Sequence, residues 1–375
     1  MPLRTWRIKI KNGHLAHELF QKWFFDYKYA YNKSNWLMTE TTSIHSSYDL
    51  RNIIVPKEVN SHIPWFLETP KDIRAEGVFE NYKNYKSAFT NLKNKHINHF
   101  KMGYIKKRRT TRCFGIPGSA IRVKEGDRKK IKIYTDYTNG FWFALSKPLP
   151  RSVVNDNNSV KKEHKIYFNG EHYYLLLAID VEYRDVNKRK RATGVDPGVR
   201  KFMTTWDING VSYEFGKLKH VQIKDLLRKR DYYQSCRDKK NYTKIEIRIK
   251  NLVRELHHQT STFLCKRYRN IILPELDVRS LVRKTKNKEY RKSLLRMGIR
   301  HFNELLKTKA EIYKCRVLSD VDGVTESYSS RLCSQCKHVN KKCSEEWKKC
   351  KNCGNQIDRD VNGAKNIYLM NIHLV

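Results

Sequence analysis

The chain has 375 residues, with 77 Lys plus Arg against 38 Asp plus Glu and a formal net charge of +39. The length allows two or three domains with real cores. The charge points to a polyanionic partner, since each phosphate neutralised releases counterions and adds affinity. No apolar run reaches membrane-span length, residues 173–179 being the nearest, and no signal peptide follows Met1. Nine cysteines, an odd number, exclude a simple disulfide framework and fit a reducing, intracellular setting.

Residues 5–10 alternate and predict a strand, and an aromatic-rich helix follows over 14–40. Residues 41–68 have no clear period and read as irregular. Thr69-Pro70 then opens a helix, with Thr69 as N-cap and Pro70 at the first helical position. Val78, Tyr82, Tyr85, Phe89 and Leu92 recur on one face of it. Its cationic side, Lys86, Lys93, Lys95 and Lys101, runs into Lys106, Lys107, Arg108 and Arg109, a candidate nucleic-acid grip. From 113 to 186 the reading is β, with strands at 129–135 and 140–146, and at 163–168 and 171–182 around the hairpin signal Asn169-Gly170. Several short antiparallel strands predict a small barrel. A helical insert inside it would explain why strand 5–10 lies so far ahead.

A second region begins with Gly194-Val195-Asp196-Pro197-Gly198 after the basic loop 188–191. It reads as a buried strand ending in a carboxylate, then a turn into a second strand. Asp196 fits the first position of an ordinary turn, and it equally fits a ligand for a hard cation where a polyanion must approach bare backbone. A long helical pattern follows, with Ile245, Ile249, Leu252, Leu256 and Phe263 on one face. A short apolar strand at 271–273 ends in Pro274-Glu275, and a very basic segment at 279–292 leads into a helix at 290–313. Residues 315–319 predict one more strand.

Two further stretches carry chemistry. Cys333, Cys336, Cys350 and Cys353 form two CxxC pairs with thirteen residues between them. Four thiolates in two tight turns can close a tetrahedral, structural Zn²⁺ shell. Gly354 follows the second pair, but Lys337 follows the first, where a glycine would ease the turn; Cys343 lies between the pairs. Asp358-Arg359-Asp360 opens a C-terminal helix whose small Gly363-Ala364 pair suits close packing on a strand. Asp360 reads either as an N-cap or as an acid brought towards Asp196. Asp196, Glu275 and Asp360, on three separate elements, can hold two Mg²⁺ or Mn²⁺ ions about 4 Å apart, the arrangement used for phosphodiester hydrolysis.

At these residues the sequence resembles the transposon-associated TnpB and Fanzor nucleases, relatives of the type V CRISPR effectors. GVDPGVRKFMTTW, ILPELDV and CSQC…CKNCGNQIDRDVNGAKNI are similar to their three RuvC motifs and zinc-ribbon insert. Further similarity lies in residues 69–100 and 293–305, including Arg296, His301 and Phe302. The resemblance implies a multidomain α/β plus β-barrel protein. It comprises a wedge-type barrel (1–12 and 110–190) carrying a helical recognition insert (13–109). A ribonuclease H-like RuvC core (191–325), a zinc ribbon (326–357) and a third-motif helix (358–375) follow. It also implies RNA-guided cleavage of double-stranded DNA with a displaced single strand, using guide RNA from the transposon end. The catalytic and Mg²⁺-binding set would be Asp196, Glu275 and Asp360, with Asp358 a lesser metal neighbour and Glu326 an acid just before the knuckles. Arg279, Arg283, Lys284, Lys286 and Arg296 are expected to contact nucleic acid. The protein is expected to be a monomer, cytoplasmic in a prokaryote and nuclear or virus-associated otherwise. Three alternatives remain: an actin-like ATPase, an RNA-binding zinc-ribbon protein with an inactive core, and an RNA-independent RuvC-type nuclease or transposase accessory.

Overall fold

The computed structural model describes residues 2–11, 13–40, 46–106, 111–186, 189–341 and 345–375. They form two compact units, 3–180 and 181–375 together with Pro2. Lys107, Arg108, Arg109, Lys188 and Cys343 lie outside the described residues.

In the first unit, β1 (Leu3–Lys9) is followed by four helices: α1 (Gly13–Glu40), α2 (Ser47–Ile54), α3 (Pro64–Leu67) and α4 (Lys71–Lys93). The strands β2 (Arg112–Ile116), β3 (Ile121–Lys124), β4 (Asp127–Ile133), β5 (Phe143–Ala144), β6 (His164–Phe168) and β7 (Tyr173–Asp180) come next. β1 pairs antiparallel with β7 across the helical insertion, as expected. The Asn169-Gly170 hairpin also forms: Asn169 Oδ1 accepts from the Glu171 and His172 amides, and Gly170 has φ +104°.

The expected closed barrel does not form among the described residues. The strands make a four-stranded sheet, β1-β7-β6-β2, and a three-stranded sheet, β3-β4-β5. The Ile10–Leu145 bridge joins the two sheets. β2 and β3 follow each other through a 3₁₀ turn at Gly118–Ala120 without pairing, so the ring stays open there.

Two helical readings also need correction. Residues 46–67 are not irregular: Ser46 and Asp49 form a reciprocal capping box that opens α2. Thr69 does not cap α4, because its hydroxyl hydrogen-bonds the buried Asp26 carboxylate instead, and Pro70 takes the N-cap position. The apolar face of α4 is buried only in its first half. Gly77 lets it approach α1 so closely that a Cβ there would lie 2.4 Å from the Tyr27 carbonyl, while Phe89 is exposed.

The second unit is a mixed five-stranded sheet. β8 (Lys190–Pro197), β9 (Met203–Trp206) and β10 (Ser212–Phe215) form an antiparallel meander. After α5 (Lys217–Ser235) and α6 (Lys239–Arg267), β11 (Tyr268–Ile272) returns parallel to β8. α7 (Val278–Lys284), α8 (Lys288–Met297) and α9 (Ile299–Ile312) lead to β12 (Arg316–Leu318), parallel to β11. The strand order is β10-β9-β8-β11-β12. The helix expected at 290–313 is two helices, because Gly298 takes φ +59° and both ends α8 and starts α9. A small hairpin, β13 (Trp347–Lys349) and β14 (Gln356–Asp358), precedes α10 (Arg359–Asn371).

Strand alternation sorts the core into two layers. Val195, Met203 and Ile271 face one layer with Leu256, Phe302 and Leu306, whereas Ala192, Trp206 and Ile272 face the other with Ala364, Ile367 and Tyr368 of α10. No described helix is long and apolar enough to cross a membrane.

Candidate carboxylate and cysteine centres

β8 has period two, so residues 192, 194 and 196 share the face covered by α10. Close contact follows from the small residues on both sides. A Cβ on Gly194 would lie 2.4 Å from the Ala364 carbonyl. A Cβ on Gly363 would lie 2.5 Å from Asp196 Oδ2. The Gly363-Ala364 pair therefore does what its composition predicts, seating the first turns of α10 beside the end of β8.

Asp360 stands in the first turn of α10 and is not its N-cap. That position belongs to Asp358, whose Oδ1 accepts from the Asp360 amide at 2.9 Å and the Val361 amide at 3.1 Å. Its Oδ2 accepts from Lys201 Nζ at 2.6 Å. Both Asp358 oxygens are thus engaged within the chain. Burial pushes the Asp358 carboxyl up, but the Lys201 hydrogen bond and the helix amides outweigh it, and the net shift is downwards.

Asp196 moves the other way. It is partly exposed but densely surrounded. Desolvation first, then the charges of Asp360 and Glu326, push its carboxyl up to about 8, with Arg359 opposing. Glu326, in the segment before the first knuckle, is itself raised by burial and by Asp320. Such a field of under-compensated negative charge suits a divalent cation. Asp360 is also held by cations of the chain: Arg359 reaches its Oδ1 at 3.1 Å and Lys201 its Oδ2 at 4.0 Å.

Glu275 lies just past β11, whose Ile272 pairs with Gly194 of the parallel β8. The two acids therefore sit at the same end of adjacent strands. The Glu275 side chain is exposed, however, and meets Lys307 of α9 at 3.5 Å, while its amide donates to Asp320. The charges of Asp360 and Glu326 act on Asp196. Contrary to expectation, however, Asp196, Glu275 and Asp360 do not converge within 4.8 Å of one another, and Glu275 is engaged by Lys307 instead. Among the described residues, the one group of three or more His, Cys, Asp or Glu with all ligand atoms within 4.8 Å is Cys333, Cys336, Cys350 and Cys353.

That cysteine group fits zinc. Sγ–Sγ distances of 3.7 Å for Cys333–Cys353 and 3.6 Å for Cys336–Cys350 approach the edge of about 3.8 Å that a tetrahedron with Zn–S of about 2.3 Å requires. The knuckles repeat one geometry. Lys337 and Gly354 take φ +60° and +72°, and their amides donate to the Cys333 and Cys350 carbonyls at 2.9 and 3.0 Å. Lys337 thus adopts the glycine-like conformation without being glycine. The backbone N–H of Cys353 is the main force drawing the Cys350 thiol down towards the thiolate that binds metal.

Sequence reasoning missed the residues that hang this element on the core. Asn366 Nδ2 donates to the Ser329 and Leu332 carbonyls at 2.7 and 2.8 Å, and Asn362 Oδ1 accepts from the Ser334 amide at 3.0 Å. Asn371 closes a two-way pair with the Thr325 backbone at 2.8 Å. Three buried asparagines inside one helix, where Asn is a poor former, were the available signal. Lys201, buried among carboxylates, was missed too.

Among the residues expected to bind nucleic acid, Lys106, Arg279, Arg283, Lys284 and Lys286 are exposed. Arg296 is instead paired with Glu246 inside the chain.

The fold and sites define an α/β protein with clustered acids at the end of its central strand and a four-cysteine knuckle beside them. Residues 300–367 match the family described as Cas12f1-like, TNB domain. The chain is 26% identical over 391 residues to the transposase-named protein A625R of Paramecium bursaria Chlorella virus 1, covering 98% of this chain and 86% of that protein. It is 25% identical over 214 residues to the TnpB-like protein L79 of Acanthamoeba polyphaga mimivirus, covering 52% of this chain and 40% of that protein. Among solved structures, the Cas12f1 chain of a Cas12f1–sgRNA–target DNA complex aligns at a TM-score of 0.36 with 17% identity, over 98% of this chain and 99% of that one. Residues 300–367 are thus similar to the Cas12f1-like TNB domain, and the chain is similar to these viral transposase-named and TnpB-like proteins.

Proposed function

We propose that this protein is an RNA-guided DNA endonuclease of the TnpB and Fanzor kind, cutting phosphodiester bonds at a RuvC site and associated with a transposable element. The observation that carries the reading is Asp196. It is a desolvated carboxylate at the end of a central strand, facing Asp360 across a glycine-lined contact. The meander with two parallel strands added is then a ribonuclease H-like core, and the open two-sheet assembly of the first unit is the wedge region with its recognition insert.

Asp196, Asp360 and Glu275 would hold the divalent cations, with Glu326 adding to the field. Two bound Mg²⁺ or Mn²⁺ ions supply an activated water and stabilisation of the leaving oxygen. The chain's own part is to present carboxylates from separate elements and to keep Asp196 poorly solvated. Its four cysteines would hold structural Zn²⁺. The exposed Arg279, Arg283, Lys284 and Lys286 grip nucleic-acid backbone, and guide pairing supplies the sequence choice. RNA dependence is what the motif resemblance implies, and the net charge of +39 supplies the polyanion-binding surface it would need.

A second reading, an RNA-binding zinc-ribbon protein with an inactive core, has one observation in its favour: Lys307 and Arg359 already neutralise Glu275 and Asp360. The two readings separate in one assay. The protein is purified with its co-expressed RNA, that RNA is sequenced, and a plasmid bearing the matching target is offered with Mg²⁺. Guided cutting that disappears in Asp196→Ala and on omitting the RNA is expected. RNA retention with no cutting in the wild type overturns the nuclease reading.

A further inference from the structure

Among the described residues of the second unit, Lys201 is the cation with the most carboxylate partners. It lies in the β8–β9 turn and is 3% exposed, yet its ammonium faces four carboxylates. Nζ lies 2.6 Å from Glu214 of β10, 2.6 Å from Asp358, 3.6 Å from Glu346 and 4.0 Å from Asp360. A lysine ammonium has three donors, and here the two short contacts tie the β9–β10 hairpin to the residue that starts α10.

Asp358 gives this contact its consequence. One of its oxygens caps the amides of Asp360 and Val361 while the other is gripped by Lys201. The carboxylate that decides where α10 begins is therefore held by a side chain from the turn that follows Asp196. Glu346 extends the tie: its carbonyl accepts from the Arg359 amide at 2.8 Å, and its carboxylate is shared between Lys201 and Lys217. It stands just before β13, which leads directly into Cys350.

We propose that Lys201 is a positioning residue for the carboxylate centre: through Asp358 it sets Asp360 against Asp196, and through Glu346 it makes that setting depend on the cysteine knuckle. The inference rests on the nuclease reading above. Lys201 touches no reacting atom. Its effect is on how well the acids converge, and a displacement near 1 Å in such a centre costs about 100-fold in rate.

The test uses the RNA-loaded protein and four variants: Lys201→Met, Lys201→Arg, Glu346→Gln and Asp196→Ala. Single-turnover cleavage is measured against Mg²⁺ concentration, alongside target-DNA affinity without Mg²⁺ and zinc content. Lys201→Met is expected to cut about 100-fold more slowly at saturating Mg²⁺ and to need several-fold more Mg²⁺. DNA affinity and zinc content should stay as in the wild type. Lys201→Arg, which keeps the charge and two of the contacts, is expected to recover most of the rate. A cation that merely stabilises the fold would lower the melting temperature and leave the Mg²⁺ dependence unmoved, and that result overturns the proposal.

If Lys201→Met does not fold, Glu346→Gln decides. Its half-exposed side chain tolerates the change, and an Mg²⁺ requirement equal to the wild type's overturns the coupling to the knuckle and with it the proposal. Asp196→Ala separates the two layers of inference. If it still cuts, the nuclease reading has failed. If it is dead while Lys201→Met cuts and titrates as the wild type does, only the role of Lys201 has failed.

Discussion

The cysteine and carboxylate centres of the second unit are built on opposite plans. The four cysteines come from two turns separated by thirteen residues, and their sulfurs already converge within 4.8 Å. The carboxylates come from β8, the end of β11 and α10, and convergence depends on the packing of a whole sheet. Thiols have little charge to repel one another, so local turns suffice. Carboxylates repel, and each is held apart or neutralised by a cation: Lys307 on Glu275, Arg359 on Asp360. The knuckle is therefore local and self-sufficient, whereas the carboxylate centre is a property of tertiary structure.

The largest expected effect breaks the knuckle. Cys350→Ser should empty the zinc site, and structural zinc contributes on the order of 10 kcal/mol of folding free energy. Residues 326–357 should then lose amide protection in hydrogen exchange while the sheet keeps its own. By contrast, Glu275→Gln removes an exposed acid and should change stability by less than about 0.5 kcal/mol. It should nonetheless abolish guided cutting. If both changes unfold the same segment, the two centres are not separate in the way described.

Next in size is the contact that makes the carboxylate centre possible. Gly363→Ala gains about 1 kcal/mol in helix propensity, but its Cβ would lie 2.5 Å from Asp196 Oδ2. Overpacking of this kind costs about 1–3 kcal/mol and displaces the carboxylate. Chemical denaturation should show a net loss of stability, and plasmid cleavage should fall further than stability does. A variant as stable and active as the wild type would show that α10 can retreat from β8 at no cost.

A smaller effect follows from the protonation of Asp196. Desolvation pushes its carboxyl up to about 8, far above the ordinary carboxylate value. The metal-free folded state therefore holds a proton that the unfolded chain has lost. Its stabilising contribution is complete below pH 4, shrinks through the window between and is gone above about pH 8. Asp196→Asn removes this dependence and should stabilise the metal-free protein at pH 8.5 by at least about 1 kcal/mol over wild type. A divalent cation must displace the same proton, so the Mg²⁺ needed for half-maximal cutting should fall as pH rises from 6.5 towards about 8 and then level off. A flat Mg²⁺ requirement across that range would mean that Asp196 is ionised throughout.

Legibility followed the same divide between local and distributed order only in part. The Asn169-Gly170 hairpin, the turn at Pro197-Gly198 and the cysteine spacing are local, and each formed as read, whereas the strand read over 140–146 shrinks to Phe143–Ala144. The expected barrel fails at a local step that the alternation did not show: the 3₁₀ turn at Gly118–Ala120 carries the chain from β2 into β3 without pairing them. Thr69 looked like a cap because its competitor, the buried Asp26, is forty-three residues away. The single helix read over 290–313 overlooked Gly298, whose left-handed φ of +59° divides it into α8 and α9. Asp196 and Asp360 were singled out by motif order, whereas the Lys201 network, in which each partner looks like an ordinary surface charge, had no local signature.

The smallest effect sharpens the knuckle side of the comparison. Lys337 and Gly354 occupy the same place in two similar turns, with φ +60° and +72°, and only one of them is glycine. A non-glycine residue in the left-handed region is strained, although lysine can be held there when the surrounding turn dictates it. The Lys337 amide donates to the Cys333 carbonyl just as the Gly354 amide donates to Cys350, so the turn does dictate it. Lys337→Gly relieves that strain but also loosens the unfolded chain, so the net gain should be modest, about 0.5 kcal/mol. Gly354→Lys imports the same strain into the second knuckle and should cost about 1 kcal/mol. Zinc-release rates into a chelator read both changes, and they should shift in opposite directions. If both variants release zinc faster than the wild type, the Lys337 side chain contributes more to the knuckle than its backbone conformation costs.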